Sequence, residues 1–216
     1  MGSVNPRKSP TLVLLIDDPI PMVAGKITHP EIRKIVDEQL PIVICLQEMM
    51  TRITDHLVSN NYEWSICYRP ESLGSGFTGL GNRKGVPYQT TENNSGLHAS
   101  IAKIGIPWNV TVVQHNLSNQ QLIGKLNHLL LTLEPPFLFC GDFNAAHEVW
   151  GSKKSKYRGG LMLEWAVDND LLVLNDGSPT HYHNTTGSFT AIDVSFASNS
   201  LASKLLLHYE DTPTCE

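Results

Sequence analysis

The stretch Phe137-Leu-Phe-Cys-Gly-Asp-Phe-Asn144 constrains what this chain can fold into more than any other. Residues 136–140 form an apolar run of the length expected for a buried strand, and Gly141 closes it. Side chains alternate across a strand, so Phe143 should enter the core while Asp142 and Asn144 share the opposite face. A carboxylate and an amide then stand just past the C-terminal end of a buried strand. Layered α/β proteins commonly build their chemistry there. An acceptor beside a group that both donates and accepts suits the orientation of a water molecule and the holding of an anionic oxygen. The same residues also satisfy an Asx-type turn, so a purely structural reading stands beside the chemical one.

Around this segment, apolar clusters switch between strand and helix character. Strands are expected over 12–16, 41–46 and 62–68, with a helix over 30–40 and a short one over 51–59. Glycine, proline and asparagine dominate 69–95, which predicts a long loop. Strands over 97–104 and 109–114 lead to a helix over 119–133 capped by Ser118 or Asn119. A helix over 160–169, a strand over 171–174, a turn over 175–178 and a final strand within 189–197 complete the pattern. Strands outnumber helices and several are adjacent. That favours a mixed-sheet α/β sandwich over a doubly wound parallel sheet.

The 216 residues fit a single domain, and no linker divides them. A net charge of -5 argues against a general nucleic-acid coat and leaves only local basic patches. No apolar run approaches the roughly 20 residues that span a bilayer. The four cysteines lack Cys-x-x-Cys spacing, so buried thiols in a reducing, intracellular compartment, nuclear or cytoplasmic, are expected.

Two further acids occupy positions comparable to Asp142. The strand over 41–46 runs into Gln47-Glu48, so Glu48 projects past a buried strand's end. Asp193 lies inside Ala191-Ile-Asp-Val-Ser-Phe196. Alternation puts Ile192, Val194 and Phe196 on one face and Asp193 on the other, with Ala191 and Ser195. A carboxylate in an apolar strand is costly to bury unless it is paired or ligates a metal. Three acids and an amide are hard oxygen donors of the kind that select Mg²⁺ or Mn²⁺. The cationic run Lys153-Lys-Ser-Lys156 with Arg158 is either a solvated loop or a grip on a DNA backbone. Trp150 either stacks on a base or packs in the core.

Leu46-Gln-Glu48, Gly141-Asp-Phe-Asn144 and Ile192-Asp193 resemble, in order and separation, the signature blocks of the endonuclease/exonuclease/phosphatase superfamily. Gly-Asp-Phe-Asn-Ala-Ala-His-x-x-Trp-Gly-Ser is similar, more narrowly, to the apurinic-type endonuclease domain of non-LTR retrotransposons. Leu174-Asn-Asp-Gly-Ser-Pro-Thr180 supports that narrower likeness. The resemblance implies a four-layered, DNase I-like α/β sandwich of two mixed β-sheets flanked by helices. It also implies Mg²⁺-dependent hydrolysis of DNA phosphodiesters by a monomeric domain. Glu48 would ligate the metal, Asp142 would orient or deprotonate the attacking water, Asn144 would position water or a phosphate oxygen, and Asp193 would orient a histidine.

The departures from that pattern are specific. The family's first strand ends in asparagine; here Asp17-Asp18 follows, with Asp17 or Asp18 as the substitute ligand. His115 stands where a tyrosine is common, as a replacement phosphate contact or as a surface histidine. No Ser-Asp-His block follows Asp193, so the domain over 1–216 is expected to lack its C-terminal strand and that block. Two readings follow: a DNA-nicking endonuclease domain of retrotransposon origin, or an inactive remnant with at most weak DNA binding. The Trp150-Gly-Ser pattern disfavours a third, a small-molecule phosphatase.

Overall fold

The computed structural model describes residues 11–15, 20–26, 34, 36–38, 40–49, 61–68, 77–105, 108–114, 117–183, 188–202 and 205–207. Two six-stranded sheets form the body of the protein. The first contains β1 (Thr11–Leu15), β2 (Ile20–Lys26), β3 (Val43–Met49), β4 (Tyr62–Tyr68), β5 (Phe77–Arg83) and β14 (Leu205–Leu207), in the order β14-β2-β1-β3-β5-β4. The second contains β6 (Tyr88–Thr91), β7 (His98–Ile104), β8 (Trp108–Gln114), β9 (Phe137–Asp142), β10 (Leu171–Val173) and β13 (Asp193–Ser198), in the order β10-β13-β9-β8-β7-β6. Both sheets are mixed: β8–β9 and β14–β2 are parallel, and the remaining pairs antiparallel. A hairpin of β11 (His181–His183) and β12 (Ser188–Thr190) stands apart from them.

The two faces of β9 explain the layering. Leu138 and Cys140 turn toward the first sheet and pack with Cys45, Leu80, Ala102 and Val110. Phe137, Phe139 and, beyond the strand, Phe143 turn the other way. There they meet α1 (Asn119–Leu130), through Leu122, Leu126 and Leu129, and α2 (Tyr157–Asp168), through Met162 and Trp165. The rings of Phe139 and Phe143 lie 5.3 Å apart, and those of Phe139 and Phe196 5.9 Å. Buried on both faces, β9 reads in the sequence as an unbroken apolar run. A hydrogen bond of 3.0 Å between the Thr78 and Ser100 hydroxyls also ties the sheets together. The Cys140 thiol beside Cys45, together with burial, holds the Cys45 thiol well above its usual range. Cys45, Cys67 and Cys140 carry no disulfide.

Ser118 caps α1 with a reciprocal box: its hydroxyl accepts from the Gln121 N–H, and the Gln121 side chain accepts from the Ser118 N–H. The helix expected over 160–169 begins earlier, at Tyr157, and Gly159 in its first turn packs on the carbonyl of Ala146 where no Cβ fits. The long loop expected over 69–95 is overturned, since β5 and β6 lie within it. Gly79 and Gly81 pair with Ile66 and Trp64 of β4. A Cβ on Gly81 would stand 2.8 Å from the Trp64 ring, so the glycines make room for a large neighbour instead of breaking the strand. The final strand expected within 189–197 also needs correction. Residues 188–190 belong to the hairpin, β13 follows, and after α3 (Asn199–Ala202) the chain pairs β14 with β2 in the other sheet. The helices expected over 30–40 and 51–59 fall largely outside the described residues; 34 and 36–38 are helical.

Phe139 joins three aromatic neighbours and is fully buried, so Phe139→Ala should lower the unfolding free energy by about 3–5 kcal/mol in a urea titration.

Candidate active site

Asp142 is the last residue of β9 and Asp193 the first of β13, and the antiparallel register sets them directly opposite each other. Opposed residues in such a ladder share a face, here the one on which Leu138, Cys140 and Ala197 pack between the sheets. Both carboxylates are buried, with 4% and 5% of their residue surface exposed. The C-terminal end of β3 meets them from the other sheet. Gln47, itself buried, accepts a hydrogen bond from the Asp142 backbone N–H at 2.6 Å. A β-bulge interrupts β3 between Leu46 and Met49, where Glu48 lies.

Beyond Asp142 the chain turns sharply. The Asn144 N–H donates to the Asp142 carboxylate at 3.0 Å, and Asn144 adopts φ 49°, a left-handed conformation that asparagine tolerates better than most residues. The Asx turn and the chemical arrangement therefore coexist. Phe143 points into the core as alternation predicts, but Asn144 is exposed whereas Asp142 is not. The following loop closes on itself. The Trp150 indole N–H donates to the Ala145 carbonyl at 2.6 Å, and the Lys156 N–H to the Ala146 carbonyl at 2.8 Å. Gly151, at φ 98°, lies against the backbone of Gly177, where a side chain has no room.

Three side chains hold residues 191–193 in place. The Thr180 hydroxyl accepts from the N–H groups of Ile192 and Asp193, each at 3.1 Å. The Ser152 hydroxyl donates to the Ala191 carbonyl at 2.7 Å and accepts from the Ala191 N–H at 3.1 Å. The Asn175 amide donates to the Asp193 carbonyl at 3.0 Å and accepts from the Ser195 N–H at 2.9 Å, substituting for a strand neighbour. Thr180 and Ser152 are buried. The motif residues Trp150-Gly-Ser152 and Asn175 to Thr180 are thus supports for the acids. Sequence reasoning assigned no such role to Gln47, Ser152, Asn175 or Thr180. The available signal was Gly151 beside Ser152 and Gly177 close to Asn175; Gln47 and Thr180 carried none.

The expected site residues divide into three groups. Asp142 and Asp193 come together, with Asn144 adjoining them. Asp17, Asp18 and His115 lie outside the described residues, as does the side chain of Glu48. Lys153, Lys154 and Lys156 are exposed on the loop leading into α2, Trp150 takes the core alternative, and the reading of Arg158 needs correction. Trp150 is 0% exposed and so presents no ring face to a base. Arg158 turns its guanidinium inward, donating to the Asn119 side chain at 2.7 Å and the Leu117 carbonyl at 2.9 Å. Ala191 also departs from the predicted alternation. It packs with Val194 and Phe196, because β13 begins only at Asp193.

Among the described residues no cluster of three or more His, Cys, Asp or Glu side chains forms a metal site. The donor chemistry still fits a hard divalent cation. Mg²⁺ usually retains several waters and is held by one or two carboxylates together with substrate phosphate. Two buried, opposed acids meet that requirement, and their mutual repulsion favours a cation between or beside them.

Residues 109–215 match the family model described as endonuclease-reverse transcriptase. The fold is shared with the endonuclease domain of TRAS1, a telomere-specific non-LTR retrotransposon, at a TM-score of 0.63 and 17% identity, covering 83% of each chain. It is shared also with an AP endonuclease from Leishmania major, at a TM-score of 0.59 and 12% identity, covering 80% of this chain and 74% of that one. No curated protein matches the chain by sequence. The resemblance to the endonuclease/exonuclease/phosphatase superfamily, and the DNase I-like sandwich of two mixed sheets with flanking helices, are borne out.

Replacing the buried Thr180 hydroxyl by a methyl group leaves two backbone donors without their acceptor. Thr180→Val should therefore cost about 1–3 kcal/mol of stability in urea unfolding, whereas Thr180→Ser should retain most of it.

Proposed function

We propose that this domain, of endonuclease type by family and fold, is a Mg²⁺- or Mn²⁺-dependent phosphodiesterase that nicks DNA in the manner of a retrotransposon endonuclease. The observation that carries the proposal is the pairing of Asp142 with Asp193 at the strand ends, beside the end of β3 that bears Glu48. Glu48 and Asp193 would hold the ion, with Asp142 alongside and Asp17 as the candidate from the first strand. When bound, the ion offsets phosphate charge and polarises the bond to be broken.

The chain's own groups divide the remaining work. Asp142, fixed at its backbone by Gln47 and at its carboxylate by the Asn144 N–H, would orient the attacking water and take its proton. The exposed Asn144 amide would hold that water or a phosphate oxygen. Asp193, expected to orient a histidine, has Asp142 as its neighbour in the ladder. His115 is the remaining candidate for a phosphate contact. Attack in line with the leaving oxygen would release a 3′-hydroxyl. Lys153, Lys154 and Lys156, exposed on one loop, would grip the DNA backbone without reading sequence. The domain would act as a monomer inside the cell. Among the described residues no helix is long and apolar enough to cross a membrane.

A second reading, a non-catalytic remnant that retains the sandwich and weak DNA binding, is favoured by Asp17-Asp18 standing where the family's first strand ends in asparagine. The two separate in one assay. Purified chain should convert supercoiled plasmid to the nicked form only with Mg²⁺ or Mn²⁺ present, and Asp142→Ala should slow this by about 10²–10⁴-fold. Equal nicking by both proteins would mark a contaminant and leave the remnant. In either case, changing Lys153, Lys154 and Lys156 together to Gln should flatten the salt dependence of DNA binding. The log–log slope should fall by up to about 0.9 for each phosphate that the protein no longer neutralises.

A further inference from the structure

We propose that Arg158 is a positioning residue that sets the Asp142 carboxylate through the peptide group joining Phe143 to Asn144. The inference deepens the hydrolase reading above and rests on it for its kinetic consequence. The peptide in question is held from both ends. Its carbonyl oxygen, on Phe143, accepts from Arg158 Nη1 at 3.4 Å; its N–H, on Asn144, donates to Asp142 Oδ1 at 3.0 Å. A peptide unit is planar, so fixing the oxygen fixes the direction of the N–H, and with it the carboxylate that accepts from it.

Of the three bonds to Phe143, Asn119 and Leu117, that to Phe143 is the longest, and the other two give it purchase. Nε donates to Asn119 Oδ1 at 2.7 Å, and Nη2 to the Leu117 carbonyl at 2.9 Å. Those acceptors lie on the connection leaving β8 and on the first residue of α1. The same connection carries His115. One guanidinium therefore fastens the loop after β8, the start of α1 and the turn after β9 together. It projects from the second residue of α2, whose start is itself packed on Ala146 through Gly159. Burial lowers the pKa of Arg158 while the negative charge of Asp142 raises it, so the cation also acts on that carboxylate directly.

Geometry and charge can be separated because lysine supplies only the second. An ammonium is a compact charge without a planar fork, and cannot serve three acceptors in these directions. Arg158→Lys should slow single-turnover nicking by about 10²-fold, the scale of a small misplacement of a reacting group, with DNA affinity unchanged. The Asn144 amide should exchange with solvent faster, while the Phe139 amide, deep in β9, stays as protected as in the wild type. Asn119→Ala removes the shortest of the three bonds while leaving the arginine in place. It should shift both readouts the same way and serves if Arg158→Lys fails to fold.

Amide exchange needs no catalysis. A wild-type chain that does not nick DNA would sink the hydrolase reading, and exchange at Asn144 would still decide this one. The inference is overturned if Arg158→Lys nicks at the wild-type rate. It is overturned equally if Asn144 exchange is unchanged in both variants.

Discussion

Two carboxylates facing each other across one strand spacing are the constraint to which the rest of this fold answers. Asp142 and Asp193 are both buried and paired in register at the end of β9 and the start of β13. Two carboxylates on adjacent strand ends repel each other when both are ionised. That repulsion adds to the cost of removing each from water. An arrangement of this kind persists only where the backbone around it is over-determined. Positive charge nearby also lowers its cost, and the Arg158 guanidinium supplies one such charge.

Over-determination is visible in how the supports converge. Gln47 reaches from the opposite sheet to the Asp142 N–H, while Thr180, Asn175 and Ser152 take hold of the backbone on either side of Asp193. Gly151 and Gly159 allow two backbone segments to approach closer than any side chain would permit. Beneath them Phe139, Phe143, Phe196, Trp165 and Trp150 fill the space between the second sheet and its helices, so the strand ends cannot shift without disturbing a packed aromatic core. The two acids are held by one continuous hydrogen-bonded scaffold, and the scaffold rests on that core.

Much of this was legible in the sequence, for physical reasons. A strand buried on both faces leaves a continuous apolar run, so β9 and the acid at its end stood out. The Ser118 box likewise announced α1. The glycine-rich stretch misled because Gly79 and Gly81 signal a loop locally. Their strand identity comes from Trp64 and Ile66 on a neighbouring strand, which periodicity along the chain does not register. Trp150 stood open between a base contact and the core, and Arg158 between a DNA contact and a solvated loop, because their residue types suit either place. Only the three-dimensional arrangement shows the indole enclosed and the guanidinium turned inward onto Asn119 and Leu117. The pairing of Asp142 with Asp193 was likewise beyond sequence reading. Strand order and register fix it, and 50 intervening residues pass through a helix, a small strand and a hairpin before the two meet.

The central claim is that these opposed acids create a binding site for one divalent ion. Titrating the protein with Mn²⁺ and following the free ion by its electron paramagnetic resonance signal tests this without reference to catalysis. The account predicts a saturable site that Mg²⁺ displaces and that Asp142→Asn and Asp193→Asn each weaken strongly, with the fold intact by circular dichroism. Mn²⁺ uptake unaltered by both substitutions would contradict it.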